Sequence, residues 1–255
     1  MYKIIILKIT SLFIILAMFS CNFTENDNTL RIAAASNLRY VLEEINIEFE
    51  NETAIYVEMS AASSGKLTAQ IQNGAPFDIF LSANKKYPFF LYENKFSINS
   101  PKLFCKGLLV YWTNKRINLK GDIQEIVAND IKKIAIPNPK NAPFGIAAVQ
   151  ALKATSIYGS IKTKIIFAEN VSQISQYVLN KNVDVGFSSK SIVLSPKLKS
   201  KGKWLEVDES LYQPIEQFAM ILKRTKNKKN AQLYFDFLFS KKAQEIFNKW
   251  GYKTK

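Results

Sequence analysis

Residues 30–49 read LRIAAASNLRYVLEEINIEF, a short β-prone run that ends on Ser36 and passes into a segment with Leu38, Val41, Leu42, Ile45 and Phe49 at helical spacing. A run suited to a strand feeding a helix of period 3.6 across one polar residue is the elementary unit of an α/β protein. The unit recurs along the chain. Strand-like runs at 55–60, 78–82, 108–112, 133–136, 164–167, 183–187 and 215–222 alternate with amphipathic stretches at 66–73, 145–154, 172–180 and 231–250. This alternation predicts an α/β fold with largely parallel sheets and right-handed crossovers.

In such sheets the strand-to-helix junctions gather at the carboxyl edges of the strands, where ligands bind. Here they carry Ser36, Ser63-Ser64-Gly65, Pro143-Phe144-Gly145 and Val171. Ser36 and the Ser63-Ser64 pair suit helix caps, and Pro143 suits a first helical turn. Capping alone accounts for any one of them. Together they offer hydroxyls, first-turn amides and about half a positive charge per helix end. None of the four junctions contains a carboxylate. A hydrogen phosphate needs an acceptor as well as donors, whereas a fully deprotonated tetrahedral dianion needs donors only, so the junctions favour the dianion.

Composition narrows the chemistry further. The chain has 255 residues, 47% of them hydrophobic, with 2 Cys and no His. Ser-His-Asp and Cys-His catalysis, His-ligated zinc, four-thiolate metal sites and iron-sulfur clusters are excluded, and no cofactor is expected. The motif S-x-x-K occurs at Ser63, Ser82 and Ser200, about the number that chance supplies, without the S-D-N and K-T-G companions of penicillin-interacting enzymes. A serine acyl-transfer enzyme using Ser63 and Lys66 is therefore a distant alternative, and the chain is read as a binding protein rather than an enzyme. Asp78 and Asp184 each sit in a β-prone run, and Asp78 is read as structural.

The start, MYKIIILKITSLFIILAMFSC, has Lys3 and Lys8 ahead of an apolar stretch and closes on Ser20-Cys21. This is the layout of a signal peptide at 1–20. Met18-Phe19-Ser20-Cys21 resembles the lipobox of bacterial lipoproteins, which makes Cys21 the lipidated residue and 21–29 a tether. Cys105, within LFCKGLLVYW, reads as a small core residue. The formal charge of +14 falls to +12 without Lys3 and Lys8. The one dense basic run is KRTKNKK at 223–229. Scattered lysines, four Arg and export argue against nucleic acid, leaving small anions, lipid head groups or plain solvation.

Four blocks, AAASNL, AASSGKLTAQIQNGAPFDIFLSA, NPKNAPFGIAAVQAL and KKAQEIFNKWGY, together resemble the periplasmic molybdate-binding proteins of ABC importers from about Leu30 to Tyr252. The resemblance implies a two-lobed, type II periplasmic binding protein with a hinge. It places the first lobe at 30–107, the second at 108–214, and a return segment of the first at 215–255. It implies molybdate or tungstate, or alternatively another oxyanion such as sulfate, held between the lobes. The ligand contacts carried over are the hydroxyls of Ser36 and Ser64, with Ser63 as the neighbour in register, and the amides of Phe144 and Val171. Phe144 replaces a small residue. Ser189 stands where the family commonly has Tyr, and losing that donor to a charged ligand weakens binding by about 1.5–3 kcal/mol unless another group replaces it. A permease partner, a lipid-anchored extracytoplasmic location and a monomer complete the expectation.

Overall fold

A computed structural model describes residues 28–254. The signal segment, Cys21 and nearly all of the expected tether lie outside the described residues; the strand β1 already begins at Thr29.

Two five-stranded sheets, each clothed by helices, make the two lobes. The first contains β1 (Thr29–Ala35), β2 (Tyr56–Ala62), β3 (Ile79–Ser82), β4 (Lys102–Gly107) and β10 (Ile215–Ile221), in the order β2-β1-β3-β10-β4. The second contains β5 (Leu109–Thr113), β6 (Ile134–Pro137), β7 (Ile165–Ala168), β8 (Val185–Ser189) and β9 (Lys203–Glu206), in the order β7-β6-β8-β5-β9. The helices are α1 (Arg39–Thr53), α2 (Ser64–Gln72), α3 (Lys86–Glu93), α4 (Pro143–Ala154), α5 (Tyr158–Ile161), α6 (Val171–Leu179), α7 (Lys190–Val193), α8 (Lys228–Phe237) and α9 (Lys241–Lys249).

The sheets are mixed rather than largely parallel. β1 pairs in parallel with β2 and β3, and β6 with β7 and β8. β10 runs antiparallel to β3 and β4, and β5 antiparallel to β8 and β9. The cause is the path of the chain between lobes. β5 and β10 each enter their sheet from the other lobe, at the edge where the parallel strands end, and a strand entering there can only run backwards.

Alternation along β1 shows how the first sheet is buried on both faces. Ile32 and Ala34 belong to the main core cluster, while Ala33 joins Leu67, Ile71, Phe80, Leu91, Met220 and Leu222 on the opposite face. Strand side chains alternate between faces, so a sheet covered on both sides reads as a continuous apolar run. Cys105 is buried and free, as its apolar setting implied, and burial pushes its thiol pKa well up.

Candidate functional site

The facing edges of the two sheets bring the four junctions together. Ser36 follows β1, Ser63 and Ser64 follow β2, Phe144 opens α4 after β6, and Val171 opens α6 after β7. With Asn37, Ala83 and Pro143 among the other lining residues, they enclose a cavity of about 10 Å³, room for about one water-sized sphere. These five residues are at most 5% exposed. No lining residue is titratable. Beyond Ala83 and Pro143 the cleft widens into a groove of about 420 Å³ bordered by Lys85, Lys86, Gln150 and Glu216.

The three hydroxyls are held differently. Ser36 was expected to cap a helix, but it begins a 3-10 turn, Ser36–Leu38, that leads into α1, and no hydroxyl cap forms there. Ser63 occupies the N-cap position of α2 with extended backbone, yet it also makes no side-chain cap bond. Its Oγ is buried and lacks a hydrogen-bond partner among the described residues. Such a group costs about 1–3 kcal/mol, and no protein acceptor among the described residues takes its proton. Ser64 Oγ accepts from the Ala83 amide at 3.0 Å, which anchors the oxygen and leaves its proton to donate.

The amides are presented by the helix starts. Ala142 makes no side-chain cap on α4, and Pro143 fills the first turn. On α6, Asn170 Oδ1 accepts from the amides of Ser172 at 2.9 Å and Gln173 at 3.1 Å, passing over that of Val171. The amides of Phe144 and Val171 therefore have no intrahelical acceptor. Gly145 makes this approach possible: a Cβ there would lie 1.9 Å from the Pro137 carbonyl oxygen at the end of β6.

Ser189 is not brought to the cavity. Its Oγ lies 3.0 Å from Ser191 Oγ, and Ser191 donates to the Asn37 carbonyl at 2.9 Å. Tyr252 donates to the same carbonyl at 2.8 Å, while Asn37 Nδ2 donates to Gln217 Oε1 and to the Tyr252 hydroxyl, each at 3.0 Å. This buried network fixes Asn37, a lining residue that sequence reasoning missed, from behind. The block KKAQEIFNKWGY carried the signal, since it ends on Tyr252. Lys190 turns away to Glu206 at 2.6 Å.

Across the rim the lobes touch. The Gly65 amide donates to the Asn141 carbonyl at 3.0 Å, the Tyr87 hydroxyl to the Lys140 carbonyl at 3.2 Å, and Lys66 Nζ pairs with Glu169 at 2.9 Å. Lys66 is thus committed to the rim and not to Ser63, so the S-x-x-K reading finds no base beside its serine.

A two-lobed α/β chain is what comparison with known proteins returns. Residues 30–253 match the family described as Bacterial extracellular solute-binding protein. The chain belongs to that family. Among these solute-binding proteins, the molybdate-binding protein ModA of Azotobacter vinelandii is 32% identical over 224 residues, covering 88% of this chain and 89% of that one. YvgL of Bacillus subtilis (strain 168), whose name carries the words ABC transporter substrate-binding lipoprotein, is 30% identical and covers 98% of this chain and 97% of its own. The solved Azotobacter vinelandii periplasmic molybdate-binding protein superposes with a TM-score of 0.85 at 30% identity, covering 89% of this chain and 99% of that one. Like other extracellular solute-binding proteins, this chain works outside the cytoplasm, and its relatives bind rather than transform.

Proposed function

We propose that this protein is the solute-binding component of an ABC importer and that it captures molybdate or tungstate between its lobes. The observation that carries this reading is the meeting of uncommitted donors from both lobes in a cavity lined by no titratable side chain. Ser36, Ser63 and Ser64 donate hydroxyl protons from one side; the amides of Phe144 and Val171 donate from the other. The N-termini of α2, α4 and α6 add their partial positive charges. The cavity is small, about 10 Å³, and its walls part to admit a tetrahedral oxyanion.

The work is done without a countercharge. Closure strips water from the dianion and replaces it with short, fixed, charge-assisted hydrogen bonds. The neutral donors do not titrate near neutral pH, so affinity is flat in pH wherever the ligand stays a dianion. Lys85 and Lys86 at the adjoining groove, with the basic surface as a whole, speed encounter at low salt. The boundaries of the lobes are proposed at 30–107 with 215–255, and 108–214; the strands of each sheet fall within those limits, save that β1 begins one residue earlier. Cys21 is proposed as the lipid anchor, the protein as a monomer, and a permease as the partner that receives the closed complex.

Thermal unfolding with millimolar molybdate, tungstate, sulfate and phosphate at fixed ionic strength tests the ligand. A ligand at about a thousand times its Kd adds about 4 kcal/mol, read as a raised midpoint with molybdate and tungstate. A rise confined to sulfate or phosphate overturns the assignment. The double variant S36A/S64A should keep its fold by circular dichroism and lose the rise; a retained rise removes these serines from the site.

A further inference from the structure

The basic run Lys223–Lys229 takes no part in the cleft, and the fold carries it to the opposite end of the first lobe. β10 ends with Ile221 paired to Ile79 at the start of β3, so the run leaves the sheet at the edge where β1 begins. Asn230, just past the run in α8, donates from Nδ2 to Asn28 Oδ1 at 3.0 Å. The run therefore lies beside the point where residues 1–27 join the body.

Lys223, Arg224, Lys228 and Lys229 are exposed. None of them enters an ion pair found among the described residues. Two other lysines of this lobe are held by carboxylates: Lys242 by Glu48 and Glu52, and Lys249 by Glu44. Beside the run, the Ile98 amide donates to the Ile221 carbonyl and that of Lys223 to Phe96, which brings up exposed Lys95 and the Ile98 side chain, 45% exposed. Cations without countercharge around an apolar side chain are the chemistry that an anionic lipid surface recognises.

We propose that this end of the first lobe docks on an anionic lipid surface, with Lys223, Arg224, Lys228 and Lys229 meeting head-group phosphates. Chain length supports the choice of occupant. From Cys21 to Asn28 the backbone spans at most about 25 Å, so a lipid on Cys21 holds this end of the body closest to the bilayer. For that proximity, though not for the charge, the inference rests on the proposed lipidation. The cleft lies at the other end of β1, about 20 Å further out, and docking leaves it free to open and close.

The test uses the body from Asn22 to Lys255, which contains every described strand and both core clusters. It is sedimented with vesicles of phosphatidylcholine alone or mixed with phosphatidylglycerol. Binding is expected only to the anionic vesicles, falling with added salt. K223S/R224S/K228S/K229S should bind at least about 100-fold more weakly with its molybdate-dependent midpoint unchanged. K197S/K199S/K201S/K203S, which removes the same charge from the second lobe, should bind as the parent does. Indifference to anionic vesicles, or equal loss in both variants, overturns the proposal. Mass spectrometry of Cys21 in the full chain reads the lipidation separately: an unmodified Cys21 with intact vesicle binding removes the anchor and leaves the docking face.

Discussion

Ser63 and Asp184 are polar side chains buried to opposite effect. The Ser63 hydroxyl has no partner among the described residues, so S63A removes a cost from the ligand-free protein. Its thermal midpoint should stay level or rise, while molybdate affinity by calorimetry falls about 10- to 100-fold, the worth of one hydrogen bond to a charged ligand. A drop in stability with unchanged affinity would show instead that the hydroxyl is structural. Asp184 is fully partnered. Burial opposes its charge, but the Lys115 ammonium and the amides of Lys133 and Lys132 outweigh burial and hold its pKa below the ordinary carboxylate value. A carboxylate depressed in the folded state stabilises above its unfolded pKa, and that stability is lost as pH falls toward the folded value. D184N should be less stable at neutral pH by about 1–3 kcal/mol and show a flatter decline below about pH 4 in denaturant titrations. That Ser36, Ser63, Ser64, Phe144 and Val171 line one cavity could be read from the chain, because each follows a strand run and precedes a helix run. The idle role of Ser189 could not, because its hydroxyl is directed by Ser191, itself held by Tyr252 near the far end of the chain.

Helix starts do most of the positioning, and sequence period finds them better than it finds helix ends or isolated strands. The stretch 231–250 reads as one amphipathic helix, yet it divides into α8 and α9 because Ser240 Oγ accepts from the Ala243 amide and starts a new helix. The apolar run around Cys105 conceals two strands in different lobes, β4 and β5, with only Leu108 between them. Hydrophobicity has no feature that marks such a crossing. α3 escapes notice because Pro88 and its aromatic neighbours mask the helical period. At α4 the contact with β6 is so close that G145A must push the helix off the Pro137 carbonyl. The variant should lose about 1–3 kcal/mol and, because the Phe144 amide moves with the helix, bind molybdate more weakly; unaltered affinity would show that this amide is not a ligand.

Over the whole molecule, closure depends on how near the lobes can come at the rim. A Cβ on Gly65 would meet Asn141 Cβ at 2.7 Å across the interface, besides the Tyr87 hydroxyl at 2.8 Å. G65A should leave each lobe intact and act as a wedge. By small-angle X-ray scattering it should keep its ligand-free dimensions when molybdate is added, with lower affinity; normal compaction would show that the rim yields. The Lys66–Glu169 pair, with side chains 50% and 41% exposed, contributes about 0–1 kcal/mol, so the wedge outweighs the latch. The order of strands has a further effect, on the timing of assembly. All five strands of the second sheet lie between residues 109 and 206, whereas β4 joins the first sheet only through β10, more than a hundred residues later. A chain emerging N-terminus first can complete the second sheet while β4 still waits for its partner. The lobe that begins the sequence is the last to be finished.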